Sequence, residues 1–597
     1  SIGEDAMSVF GTIVLVAAMA DPAVGAPLSI EKVAPSNAVG VVSVTGLDAV
    51  LSRLTESELL NSDDREALNE EIRGAFNQDE SSIGDVWKTL LEDHDPLEVV
   101  SSISGGFVLW VEPSEDSGGQ LTMAAWVDLG SESQVIVDAW DTSWETLRAE
   151  PHVKTETVLG REIDHVTSRR PDEEKPNPAP NDAWVVREDR LILFSNTRSG
   201  MTRLLDAVDG EDFDDALGDT EQWAAVKGML DGPDSLVAAM FVDPSWEAGT
   251  LFDQMGMVQM LRASFGAAIG PVKAIAVSGG PGADETLLSW SGAIWMPEGQ
   301  GGLLRLLAHD TPRAAMPGWV GPDTVSVMRL NMDFKRIPDW IRSIVATNPM
   351  LMGIGQMIDQ FEPTLRSILD PLGRRILQVQ TVSRPLTAES LNAVSAIACT
   401  NPTGLNDALA AAAPKADMEP RDFQGHQVWS AELGQGGMMP LPGLNGKMSL
   451  AVAGGMLFVG DQTAVESSLR GLSARGGGAP PWLDRVTAWL PDQPLAGWGG
   501  WDLAESLTAV AEIERMQITR WEDELKADDP ELWEEIKGEL VDEDQTEQYE
   551  RFARIATHLG PAAWWASSGD DGFRIRGIVM GRDAATGESE NGSRDAN

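Results

Sequence analysis

Two stretches of this chain, residues 34–310 and 311–585, carry the same turn and strand signals in the same order. That internal repeat constrains the fold more than any single motif does. Each half opens with a proline ahead of an alternating apolar strand that runs into a helical pattern. Pro35 precedes SNAVGVVSVTGLDAVLSRL, and Pro322 precedes DTVSVMRLNMDFKRIPDWI. Next come Asp95-Pro96-Leu97 and Asp370-Pro371-Leu372, each leading into strand patterns, FVLWVEP in one half and RRILQVQTV in the other. VLGREIDHV from Val158 answers DFQGHQVWSAEL from Asp422, with a glycine at the turn in both. Ala183-Trp184 and Lys447 each open a strand, a two-residue turn (Glu188-Asp189 or Gly454-Gly455), a second strand and a helix. Pro233-Asp234 and Pro491-Asp492 then lead strands, as do Gly270-Pro271 and Gly560-Pro561.

The order of strands and helices predicts an α+β class: a tandem duplication of a mixed or antiparallel sheet domain with helices on one face. The first domain is expected over 34–310 and the second over 311–585. The copies differ by an insertion over 504–559, where sixteen acidic residues face four basic ones from Glu512 to Glu550. Met516, Trp521 and Leu525, then Leu532, Trp533, Ile536 and Leu540, recur at helical spacing around Asp528-Asp529-Pro530. This pattern predicts a charged helical hairpin projecting from the domain, a candidate docking surface for a partner. Residues 586–597 hold almost no apolar side chain and read as a disordered tail.

Phe10 to Ala20 reads FGTIVLVAAMA, an apolar run of signal-peptide length. Ala18-Met19-Ala20 and Val24-Gly25-Ala26 are candidate cleavage sites, so residues 1–26 are expected to be a signal peptide and short linker. The reading that follows is an exported bacterial protein, periplasmic, extracellular or in the cell envelope. No later stretch has the length and apolarity of a transmembrane span. The net charge of −50 repels phosphate backbones and makes nucleic acid an improbable partner. A protein, a glycan or an apolar ligand fits better. The strand, helix and hairpin units behind an export signal resemble large uncharacterised families of exported bacterial proteins, from Pro35 to Arg582. That resemblance implies no activity and no site residues.

Chemical motifs do not emerge. Lys447 lacks the glycine and hydroxyl neighbours of a phosphate-binding loop, Gly353-Ile354-Gly355 lacks the third glycine of a dinucleotide fingerprint, and there is no G-x-S-x-G. The six histidines stand singly, without the spacing of a zinc site, and the single cysteine, Cys399, sits in an apolar run, so no cofactor, metal or disulfide is expected. With 94 acidic residues, carboxylate pairs arise by chance and single out no catalytic pair. The candidate ligand-binding residues are tryptophans. Trp498 and Trp501 lie three apart and Trp564 and Trp565 are adjacent, so on strands each pair places its members on opposite faces. Rings that face outward suit stacking on a sugar or another flat apolar ligand. The function read from the sequence is a non-catalytic binding or scaffold protein of the envelope. The alternative is an envelope hydrolase using carboxylates from an inter-domain cleft.

Overall fold

The computed structural model describes residues 28–45, 69, 106–113, 121–129, 134–149, 153–166, 183–232, 235–241, 270–282, 286–307, 315–347, 352–387, 389–432, 447–474, 478–528 and 559–581. The expected signal peptide, the second helix of the 504–559 insertion and the tail lie outside them. The chain divides into two compact units, Ser1–Gln259 with Val272–Pro297, and Met260–Pro271 with Glu298–Asn597.

The first unit holds β1 (Gly40–Val44), β2 (Gly106–Pro113), β3 (Leu121–Asp128), β4 (Val153–Val158), β5 (Arg161–Val166), β6 (Ala183–Glu188), β7 (Leu191–Ser195), β8 (Leu236–Phe241), β9 (Ala274–Pro281) and β10 (Thr286–Trp295). Their pairings, all antiparallel, give the order β10-β9-β8-β1-β2-β3-β7-β6-β5-β4. The second unit holds β11 (Thr324–Asn331), β12 (Leu372–Val382), β13 (Leu391–Cys399), β14 (Glu419–Phe423), β15 (His426–Glu432), β16 (Lys447–Ala453), β17 (Met456–Asp461), β18 (Gly497–Asp502), β19 (Leu559–Gly569) and β20 (Gly572–Gly581). Its order is β20-β19-β18-β11-β12-β13-β17-β16-β15-β14, the first order with ten added to every number.

Register repeats along with order. Ala124 pairs with Ser195 as Val394 pairs with Gly460, and the next residue in each unit, Asn196 or Asp461, bonds across to the paired strand. Asn196 Oδ1 accepts the Met123 N–H at 2.7 Å, and Asp461 Oδ2 accepts the Ala393 N–H at 2.9 Å. The hairpin turns repeat too. Leu159-Gly160 and Gln424-Gly425 take positive φ at both residues, the conformation that matches strand twist in a two-residue hairpin. Glu188 pairs with Leu191, so the β6–β7 turn is Asp189-Arg190, one residue on from the sequence reading and opposite Gly454-Gly455.

Helices lie in the connections: α1 (Gln134–Arg148), α2 (Arg198–Val208), α3 (Glu221–Met229), α4 (Ile337–Thr347), α5 (Met352–Leu369), α6 (Pro402–Ala412), α7 (Gln462–Ser473), α8 (Pro481–Trp489) and α9 (Leu503–Asp528). The α+β class with a mixed sheet is therefore corrected. The twenty strands of the described residues pair antiparallel, and among those residues strand outweighs helix. The physical reason is where the helical connections lead. Those after β3 and β7 join strands that are not neighbours, and the pair α4–α5 returns the chain so that β12 runs back along β11. Among the described residues no parallel strand-helix-strand unit forms.

The expectation of helices on one face is corrected as well. In the second unit, Phe458, Val428 and Ala451 pack with Val465 and Leu469 of α7 and Leu483 and Val486 of α8. Their strand neighbours Leu457, Trp429 and Val452 pack on the other face with Leu369 of α5 and Leu405 and Leu409 of α6. These strands are buried on both sides, which is why their sequences run apolar without clean alternation. The described part of the insertion is helix α9, which starts directly after β18 and whose Ala509 is buried against Val325 and Val382 of the sheet. Among the described residues no helix is long and apolar enough to cross a membrane.

Candidate functional site

The four tryptophans meet on β18 and β19 and divide two and two between the faces. Trp498 and Trp565 are direct cross-strand partners. Trp498 is 2% exposed within the α7–α8 core, and half-buried Trp565 packs against that core. Trp501 and Trp564, both half-buried, occupy the opposite face. Trp564 lies over the strip that Gly497 and Gly499 leave bare: a Cβ at Gly499 would stand 2.3 Å from its Nε1, and one at Gly497 3.5 Å from its Cη2. Glycine is needed at 499 for the close approach of the ring to the strand, whereas the distance at 497 is an ordinary contact. One indole face of Trp564 is thereby used in packing.

The pair Trp498–Trp565 is part of a longer row. Across β20, β19, β18 and β11, Arg576, Trp565, Trp498 and Arg329 stand side by side on one face. Sequence reasoning missed the arginines, because their place depends on register between strands far apart in the chain. The available signal was a charged residue at an inward position of an apolar strand, Arg329 two residues after Val327. Arg329 is 6% exposed. Burial, and then the neighbouring Arg375, pull its guanidinium below the ordinary arginine pKa.

One step along the strands, Asn331 pairs with exposed Arg375, and exposed Arg574 lies two residues from Arg576, with Asp571 at 3.9 Å. Asn331 is 2% exposed; its Nδ2 donates to the Leu495 carbonyl at 2.7 Å, but its Oδ1 is buried with no hydrogen-bond partner. Trp498 Nε1 is likewise buried and unpartnered. Among the described residues of these strands, the carboxylate on this face is Asp502, four residues from Trp498. There it accepts the Glu505 N–H at the start of α9. The register-equivalent row in the first unit is Ser291, Ser278, Val237 and Ser43. One sheet frame therefore carries small side chains in one unit and an Arg-Trp-Trp-Arg row in the other.

Among the described residues, several other chemistry-bearing groups are held by structural partners. Asp164 is fully buried and accepts from Trp144 Nε1 at 2.6 Å, Arg148 Nε at 2.5 Å and Thr155 Oγ1 at 3.1 Å. His165 Nδ1 lies 2.9 Å from Glu156 Oε1, with the Trp184 ring stacked on the imidazole at 4.2 Å. Glu362 is held below the usual carboxylate range by its hydrogen bonds to Arg366 and Arg342. Among the described residues no group of three or more His, Cys, Asp or Glu is placed to hold a metal ion.

Burial pushes the Cys399 thiol up to about 11, so it is a protonated thiol at neutral pH. Its alkylation by iodoacetamide is therefore expected to be slow at pH 7 and to rise through about pH 11; a rate that levels off below pH 9 contradicts this burial. Linkage gives the matching stability trend. With the folded pKa above the unfolded one, the buried thiol's contribution is complete below the ordinary value of 9.0 and is lost as pH rises through about 11.

Comparison with known proteins finds no match to any family model, any curated protein or any solved structure.

Proposed function

We propose that this chain is an exported, non-catalytic binding or scaffold protein of the bacterial cell envelope, akin to the exported families its repeats resemble. The observation that carries this reading is the exchange of Ser291-Ser278-Val237-Ser43 for Arg576-Trp565-Trp498-Arg329 at one place in a repeated sheet. Trp565 and Arg576, the partly exposed members of the row, are of the aromatic and guanidinium kinds that dominate recognition surfaces. They supply neither a nucleophile nor a general base. Of the described groups that could act so, Asp164 is engaged in structure and Cys399 is kept protonated. The charge of −50 favours a protein, glycan or small ligand over nucleic acid, with the described length of α9 as a second partner surface.

Fractionation of the native host tests the export half of this reading. The chain is expected in the envelope or periplasmic fraction, with an amino terminus beginning after Ala20 or Ala26. Recovery from the cytoplasm with the segment before Ala20 intact would overturn it.

A further inference from the structure

We propose that β4 is a docking edge for a second copy of this chain, the two β4 strands pairing antiparallel about a two-fold axis at Thr155. The inference goes beyond the envelope reading and does not depend on it. Three observations carry it. The first is an open edge. Among the described residues β4 pairs with β5 alone, across the two-residue turn Leu159-Gly160. Such a turn makes its flanking pair, Val158 and Arg161, hydrogen-bonded, and the bonded positions alternate along an antiparallel strand. Val158, Glu156 and Lys154 therefore bond to β5, while Thr157, Thr155 and Val153 turn their N–H and C=O groups away from it. Lys154, Thr155 and Thr157 are exposed, so this outer edge meets solvent. The Thr157 carbonyl accepts from Arg198 at 3.3 Å and keeps a second lone pair.

The second is the other copy of the same frame. Pro420 on β14 pairs with Trp429 as Thr155 pairs with Asp164, so the two positions are register-equivalent. Proline has no N–H, and an outward proline is one of the means by which an edge strand is closed to further pairing. The second unit thus carries a blocking residue where the first unit offers a donor. The third is self-complementary charge. About Thr155, residue 154 of one copy faces residue 156 of the other, so Lys154 stands opposite Glu156 on both sides of the axis. Opposite charges on directly facing residues of an antiparallel pair stabilise it, and like charges destabilise it. The outward backbone groups fall into step as well: Thr155 faces its own counterpart and Val153 faces Thr157, the hydrogen-bonded pairs of the new ladder. A strand of unrelated sequence would make those backbone bonds without the two ion pairs.

Sedimentation velocity of the full chain over a concentration series, at physiological ionic strength, is the test. Wild type is expected to pass from monomer to dimer. Thr155→Pro is expected to weaken the dimer by roughly tenfold or more, because it removes an outward donor and leaves the β5 ladder whole. Thr155→Val loses the same hydroxyl bond to Asp164 but keeps the N–H, so it is expected to dimerise as wild type does. Lys154→Glu and Glu156→Lys are each expected to weaken self-association by roughly tenfold. An equal mixture of these two variants is expected to recover it, because every facing pair is then of opposite sign. The mixture keeps the proposal falsifiable should Thr155→Pro fail to fold, which a lost urea transition would show. A wild type that stays monomeric, a dimer that a folded Thr155→Pro leaves intact, or a mixture no stronger than its components would overturn the proposal. So would loss of the dimer in Thr155→Val, which would trace it to the Asp164 cluster instead of the strand edge.

Discussion

Replacing Asp164 with alanine is expected to lower the stability of the first unit by about 3 kcal/mol, among the largest effects of any single substitution in the chain. The carboxylate is fully buried and gathers donors from two elements: Trp144 and Arg148 on α1, and Thr155 on β4. Arg148 is half exposed and can turn to water once the carboxylate is gone. Trp144 is 6% exposed and cannot, so its indole N–H is left buried and unpaired. Trp144 also stacks on Trp140 at 5.5 Å, so the loss loosens the seat of α1 on the sheet. The bidentate pair from Arg187 on β6 to Asp141, at 2.8 Å, still ties α1 to the sheet. Asp164→Asn keeps one acceptor and should cost less. A urea midpoint unchanged in Asp164→Ala, or equal losses in the two variants, would contradict this account of the site.

The register-equivalent position in the second unit shows the same problem solved by different chemistry. There Trp429 stands on β15, 5% exposed, against Leu405 and Leu409 of α6. In one unit the indole comes from the helix and meets a strand carboxylate; in the other it comes from the strand and meets aliphatic helix residues. The frame fixes the place of a large buried ring but not the element that donates it.

Phe458→Ala is expected to cost the second unit about 3–5 kcal/mol, from lost apolar burial and the cavity left behind. Phe458 is fully buried on β17, with its ring edge-on to Trp319 at 5.3 Å and 79°, among Val465, Leu469 and Val486 from the two covering helices. The strand is in the middle of its half of the sheet, paired with β13 and β16, so its backbone has little room to collapse into the gap. Phe458→Leu restores most of the volume and matches Leu193, its equivalent in the first unit, so a smaller loss is expected. The guanidinium midpoint, followed by tryptophan fluorescence, reads the difference. Equal midpoints for wild type and Phe458→Ala would contradict the position of this ring at the core.

The landmarks that exposed the repeat fall on register-equivalent strands: Pro35 and Pro322 ahead of β1 and β11, Gly270-Pro271 and Gly560-Pro561 around β9 and β19. Turns are legible because glycine, proline and left-handed residues act locally. The sheet class was not, because pairing between β1 and β8, or β11 and β18, is decided by contacts between strands far apart in the chain, as with Val42 and Ala238 or Arg329 and Trp498. Apolar strands such as MLFVGD of β17 do not reveal from sequence that both faces are buried, so the second helical layer went unread. The two-faced division of the tryptophans followed from strand alternation alone. Which pair had arginines beside it depended on register, as did the orphaned atoms of Trp498 and Asn331.

Native mass spectrometry of the protein recovered from the envelope fraction of its own host tests the binding reading most directly. The expected result is a folded chain carrying a bound ligand that is lost on denaturation, without conversion of that ligand over time. A bare chain that neither retains nor captures a ligand from its own envelope extract, or one that turns a captured molecule into product, would contradict it.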